Sequence, residues 1–252
     1  MKTEYFKEYS NYLGRDMEFK VYGHAGRPIL VFPSQDGRFF DFENQGMVAC
    51  VQSFIDEGRI QLFCCDSNDV NSWSSTHWDK HWRIANHEAF HNYICEELCP
   101  RIFDINAAAN GGHYADGIIT TGCSMGGSHA LNFMLRRPDI FAGCIALSGA
   151  YDAGYFFDGY KDDPLIYNNS PVDYIEGMPY DHPYVEMYRN RDIIICCGRG
   201  AWEHPMQEDA ARMAELFRYK DIPAWVDIWG NDVYHDWPWW RIELPYFISH
   251  IC

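Results

Sequence analysis

Ser124 is the residue on which chemistry could turn. It sits in Gly122-Cys123-Ser124-Met125-Gly126. An apolar run before it, Gly117 to Thr121, predicts a strand, and the stretch from Met125 to Arg137, stopped by Pro138, predicts a helix. A serine on so tight a strand-to-helix turn has a strained backbone, and its hydroxyl projects into open space. Small residues two positions either side let a neighbouring strand pack close. The first amides of the helix point toward any negative charge that forms nearby. The same letters also fit an ordinary Gly-rich turn in a doubly wound sheet, so partners have to be found. A neutral hydroxyl is a poor nucleophile; it needs a base, and the base needs an orienting carboxylate.

The base candidate is His235, in Gly230-Asn-Asp-Val-Tyr-His235-Asp, just past the last expected strand. The chain has eleven histidines, so one near the end means little; one directly after the final strand means more. The acid candidate is Glu203, which follows the strand at 192–197 by way of a Gly198-Arg199-Gly200 turn. Asp209, Asp232 and Asp192 compete for the role. Asp232 would have to reach back across its own loop, Asp192 begins a strand at the wrong end, and Asp209 requires a longer loop. A tetrahedral intermediate also needs two donors for its oxyanion. The Met125 amide follows the nucleophile, and the Gln35 amide lies in the loop Pro33-Ser34-Gln35-Asp36-Gly37 after an early strand.

These segments need a scaffold. Strands are expected at Met17 to Tyr22, Ile29 to Phe32, Ile60 to Cys65, Gly117 to Thr121, Gly143 to Leu147, Asp192 to Cys197 and Ala224 to Trp229. Helices are expected at Met47 to Glu57, His87 to Phe103, Met125 to Arg137, Gln207 to Arg218 and Pro238 to His250. Such alternation predicts an α/β protein with a mostly parallel central sheet and helices on both faces. Sites in such sheets sit at the carboxyl ends of the strands. One domain over residues 1–252 is the simplest organisation, with 150–190, aromatic and weakly periodic, as a lid-like insertion. Trp73, Trp202 and Trp237 fall near the expected site and are candidates for the substrate pocket. With Trp78 and the tyrosines of the insertion, they favour a ring-bearing or apolar acyl or alcohol group, although such residues also simply pack cores.

Composition removes other classes. Thirty-six acidic and twenty basic residues leave a formal charge of −16, which repels nucleic acid and anionic membranes. The N-terminus has no apolar signal core and no run reaches transmembrane length, so a cytoplasmic location is expected. Ten cysteines then read as reduced thiols. The adjacent pairs Cys64-Cys65 and Cys196-Cys197 lie in expected strands, whose side chains alternate between faces, and suit buried packing better than a bridge or a shared metal. The oligomeric state stays open, a homo-oligomer included.

One motif points elsewhere. His87-Glu88-Ala89-Phe90-His91 matches H-E-x-x-H, which on a helix can grip zinc, and His77 and His81 repeat the spacing. A zinc site needs a third protein ligand, and nothing downstream has the spacing to supply it. The expectation is therefore no metal and no cofactor. A hydrolase-like fold used only for binding is the other rival.

With these residues in place, the chain resembles the putative-esterase family of α/β-hydrolases. That group includes feruloyl esterases, S-formylglutathione hydrolase (esterase D), enterochelin esterases and mycobacterial mycolyltransferases. The resemblance runs from about Ile29 to His250. It rests on Gly122-Cys-Ser-Met-Gly-Gly127, Pro138-Asp-Ile-Phe141 leading to Ser148-Gly149, Cys197-Gly-Arg-Gly-Ala-Trp-Glu203, and His235-Asp-Trp-Pro-Trp-Trp240. It implies an α/β-hydrolase fold and a serine esterase acting on a small-molecule ester, with Ser124, Glu203 and His235 as nucleophile, acid and base. An acyltransferase using the same acyl-enzyme is the alternative. Gln35 falls where the family's first oxyanion amide sits, but Pro33-Ser34 stands where many members carry His-Gly. Asp66 to Trp73 resembles the family's loop flanking the pocket.

Overall fold

Side-chain alternation along the central strands decides the layers. In the computed structural model, which describes residues 1–252, eight strands form one sheet. They are β1 (Thr3–Ser10), β2 (Arg15–Tyr22), β3 (Arg27–Phe32), β4 (Ile60–Cys65), β5 (Ile118–Cys123), β6 (Phe141–Leu147), β7 (Asp192–Cys197) and β8 (Trp225–Ile228). Leu30 and Phe32 enter one core while Ile29 and Val31 enter the other. Cys65 and Cys197 likewise part from Cys64 and Cys196, so each adjacent thiol pair is split by the sheet. All ten cysteines are free.

The order is β1-β2-β4-β3-β5-β6-β7-β8. From β4 through β8 neighbours are parallel, and β2 pairs antiparallel with both β4 and β1. Parallel strands are buried on both faces and need helical cover on both. One face is covered by the long helical stretch from Lys80 to Ala109, the helix Met125–Arg136 and the helix His204–Tyr219. The other is covered by the short helices Met47–Cys50 and Gln52–Asp56 and the final helix Trp237–Ile251. No helix is long and apolar enough to cross a membrane.

Several elements differ from the sequence expectation, each for a local reason. The edge strand β1 was not anticipated; its exposed charges mask its alternation, and charges are what edge strands use against unwanted pairing. The helix expected at Met47 to Glu57 breaks at Val51 into two short pieces. The helix expected from His87 starts at Lys80, where the Asp79 carboxylate caps it by accepting from the Trp82 amide at 2.9 Å. It widens into a π-helical turn at Tyr93–Leu98, just before Pro100, which has no N–H to continue the regular ladder. The 150–190 excursion is more regular than its composition suggests. Short helices start at Pro164, Pro171 and Pro183, each proline directly following an Asp, Ser or His cap position.

Candidate active site

The turn that carries Ser124 is built by close backbone contact. Ser124 has φ 58° and ψ −122°, outside the regular regions for a side-chain-bearing residue. Its amide donates to the Leu147 carbonyl at 2.9 Å, tying the turn to the end of β6. A Cβ on Gly122 would lie 2.5 Å from the Gly126 backbone, and one on Gly126 would lie 2.5 Å from the Phe32 carbonyl oxygen. Any larger side chain at either position would push β3 and the turn apart.

His235 arrives from the loop after β8. That loop is stitched to the one after β7: Arg199 N–H donates to Gly230, Gly200 N–H to Val233 and His235 N–H to Ala201, at 3.1, 2.7 and 3.1 Å. The stitching places His235 Nε2 2.9 Å from Ser124 Oγ. It also places Glu203, only 1 % exposed, behind the imidazole. Glu203 Oε2 is 3.6 Å from His235 Nδ1, longer than a hydrogen bond. Both atoms are buried and neither has another partner, so each is the nearest available partner of the other. Such spacings often tighten only when substrate is bound.

The other carboxylates are occupied or remote. Asp209 accepts from the Tyr151 and Asp152 amides at 2.6 and 2.8 Å and so holds the start of the excursion. Asp192 pairs with Arg27 at 3.0 Å, and Asp232 is exposed.

Ser124 opens into a cavity of about 290 Å³. Gln35, Met125 and His235 line it beside Ser124. Met125 is the first residue of its helix, so its N–H is one of the unpaired donors there. The Gln35 loop is held from several sides. Ser34 donates through both its amide and its hydroxyl to Asp41, at 3.1 and 2.8 Å, and Ser67 Oγ donates to the Gly37 carbonyl at 2.8 Å.

Of the three tryptophans expected in the pocket, Trp202 lines the cavity and is 85 % exposed at its mouth. Trp73 is one layer back, edge-on to Phe156 at 5.2 Å, and it is Phe156 that meets the cavity. Trp237 lies outside, packed against Trp240 at 4.9 Å. Tyr155, one of the tyrosines of the insertion, lines the wall, and so do Ser128 and Met206, which were not anticipated. Of those two, only Ser128 left a trace in the sequence, one helical turn after Ser124.

The H-E-x-x-H stretch is committed to packing. His87 Nδ1 accepts from Trp73 Nε1 at 2.8 Å, and burial holds this imidazole far below its usual range, hence neutral. Glu88 is gripped by Arg136 at 2.8 and 2.9 Å and cannot serve as a free base. His77 lies before the helix starts, and His81 instead meets Asp163 at 2.6 Å. No three His, Cys, Asp or Glu side chains are arranged to hold a metal ion.

A second buried carboxyl, Glu243, sits near Glu203. It is 0 % exposed and neither oxygen has a hydrogen-bond partner. Burial, then the charges of Glu203 and Asp227, push it up to about 8. The folded chain therefore keeps a proton that the unfolded chain releases above about pH 4. Stability should fall as pH rises from about 4 to about 8, by up to about 1.4 kcal/mol per pH unit from this group, and then level off. Glu243→Gln should flatten that slope in denaturant melts run across the range. Parallel slopes for the two proteins would refute it.

A family model described as "Putative esterase" matches residues 10–249. Among solved structures, a ferulic acid esterase is 15% identical, with 100% of this chain and 99% of that chain covered and a TM-score of 0.73. An S-formylglutathione hydrolase from Agrobacterium tumefaciens is 16% identical, with 99% and 92% covered and a TM-score of 0.69. Mycobacterium tuberculosis MPT51 is 16% identical, with 100% and 98% covered and a TM-score of 0.61. At such identities the likeness is one of fold, the α/β arrangement of the serine hydrolases. No curated protein matches the sequence.

Proposed function

The chain belongs to the putative-esterase family, hydrolases of carboxylic esters, and from that premise we propose that Ser124, His235 and Glu203 act as nucleophile, base and acid. The observation that carries this reading is the 2.9 Å approach of His235 Nε2 to Ser124 Oγ, on a turn that opens into a cavity. His235 takes the hydroxyl proton as Oγ attacks the acyl carbon. The Met125 and Gln35 amides hold the oxyanion. The imidazolium then protonates the leaving alcohol, and water, activated by the same imidazole, releases the acid. Glu203 stays ionised and fixes the ring. The 150–190 excursion, which contributes Tyr155 and Phe156, serves as one wall of the pocket.

The lining also speaks to the substrate. Tyr155, Phe156, Trp202 and Met206 are suited to a ring or an apolar group, and no Lys or Arg lines the cavity. With a formal charge of −16 as well, an anionic leaving group such as glutathione is disfavoured. Neutral aryl esters, of the kind a ferulic acid esterase is named for, are the proposed class. A panel of chromogenic esters matched in leaving-group pKa tests this. Neutral ring-bearing esters should exceed anionic thioesters in kcat/KM by about tenfold or more. Preference for the anionic thioester would overturn the assignment of class and leave the triad untouched.

A further inference from the structure

Glu203 has a second oxygen, and what holds it is not part of the three-residue reading. Glu203 Oε1 accepts from Ser148 Oγ at 2.6 Å. Ser148 Oγ in turn accepts from Trp240 Nε1 at 3.0 Å. An indole N–H can only donate, so the direction of this short chain is fixed. Trp240 donates its N–H to Ser148 Oγ, and the Ser148 hydroxyl is left to donate to the carboxylate. Ser148 and Glu203 are 0 % and 1 % exposed, and Trp240 is buried, so no solvent competes. The Trp240 ring also stands edge-on to the His235 ring, with centroids 5.0 Å apart at 85°. One indole thus touches the base directly and the acid through a hydroxyl.

The backbone supports the same conclusion. Ser148 has φ 50°, the left-handed region that disfavours residues with a side chain. Its amide donates to the Cys196 carbonyl at 2.7 Å, bridging the ends of β6 and β7. Glycine would take this conformation more readily and would keep that amide bond. The hydroxyl is what glycine lacks, and it is the group bonded to Glu203.

We propose that Ser148 and Trp240 are positioning residues of the esterase site: their one-way hydrogen bonds fix the Glu203 carboxylate so that its other oxygen faces His235. This rests on the triad reading. Oε1 is anchored, so Oε2 is left for the imidazole and its place is set by the anchor. Without the anchor the carboxylate turns about its own axis, and His235 loses its orientation although every triad residue is present.

The decisive variant is Ser148→Gly, because it removes the hydroxyl while easing the backbone. We expect kcat to fall about 10- to 100-fold and KM to stay within about twofold, with only a modest fall in Tm, because the eased backbone offsets part of the cost of leaving Glu203 and Trp240 without their partner. The rate of fluorophosphonate labelling at Ser124 should fall with kcat. Trp240→Phe, which keeps a ring but loses the N–H, should lower kcat in the same direction and by less. Ser148→Gly with wild-type kcat overturns the proposal. So does a fall in kcat matched by a large fall in Tm while Trp240→Phe keeps full turnover, since that pattern marks a purely structural serine. Ser124→Ala and Glu203→Gln run alongside separate the two levels. If both stay active, the triad reading itself is wrong; if both are inactive beside a fully active Ser148→Gly, only the positioning role is lost.

Discussion

Ser124→Ala and His235→Ala should each lower ester turnover by about 10⁴- to 10⁶-fold, and the double variant should be no worse than either alone. The reason is geometric. The 2.9 Å contact makes hydroxyl and imidazole one functional unit, so removing either half removes the attack. What should survive is binding and the proposed oxyanion amides of Gln35 and Met125. Folding should be spared, since Ser124 and His235 are only partly buried. Single-turnover kinetics on the three variants, with circular dichroism as a check, decide it. Additive losses would mean that the two side chains act in separate steps.

Glu203→Gln comes second, with an expected fall of about 10³- to 10⁴-fold in kcat and little change in KM. The amide keeps the shape of the carboxylate but carries no charge to stabilise an imidazolium. It can also present its NH₂ to His235 and impose the wrong tautomer. Asp209→Asn is the informative contrast. Asp209 holds the Tyr151 and Asp152 amides, so its loss should loosen the excursion and raise KM with kcat largely kept. Full activity in Glu203→Gln together with an inactive Asp209→Asn would move the acid role to Asp209.

The site was legible in the sequence to the extent that local chemistry forced it. Ser124 could be read because a strand, a Gly-flanked serine and a helix have few other uses in that order. His235 and Glu203 could be read because the parallel sheet sends the ends of β7 and β8 to the same edge as β5. The pocket wall was less legible. Trp73 and Trp237 are near in sequence terms but face Phe156 and Trp240, because the direction of a side chain depends on a packing partner that no local pattern names. Ser148 shows the same limit. Its bond to Glu203 spans 55 residues and joins two loops whose approach is set by the register of β6 on β7. The zinc-like motif marks the opposite case, in which a correct pattern match is spent on holding Trp73 and Arg136.

The glycines that crowd the turn have a consequence for anyone redesigning this enzyme. Gly122 and Gly126 abut β3, and a Cβ on Gly127 would lie 2.4 Å from the Leu147 carbonyl oxygen, so a mutational library gains nothing by visiting them. New selectivity has to be recruited from Tyr155, Phe156, Trp202 and Met206, which line the cavity without carrying the sheet. Reactivity and preference are thus carried by different side chains and can be altered one at a time.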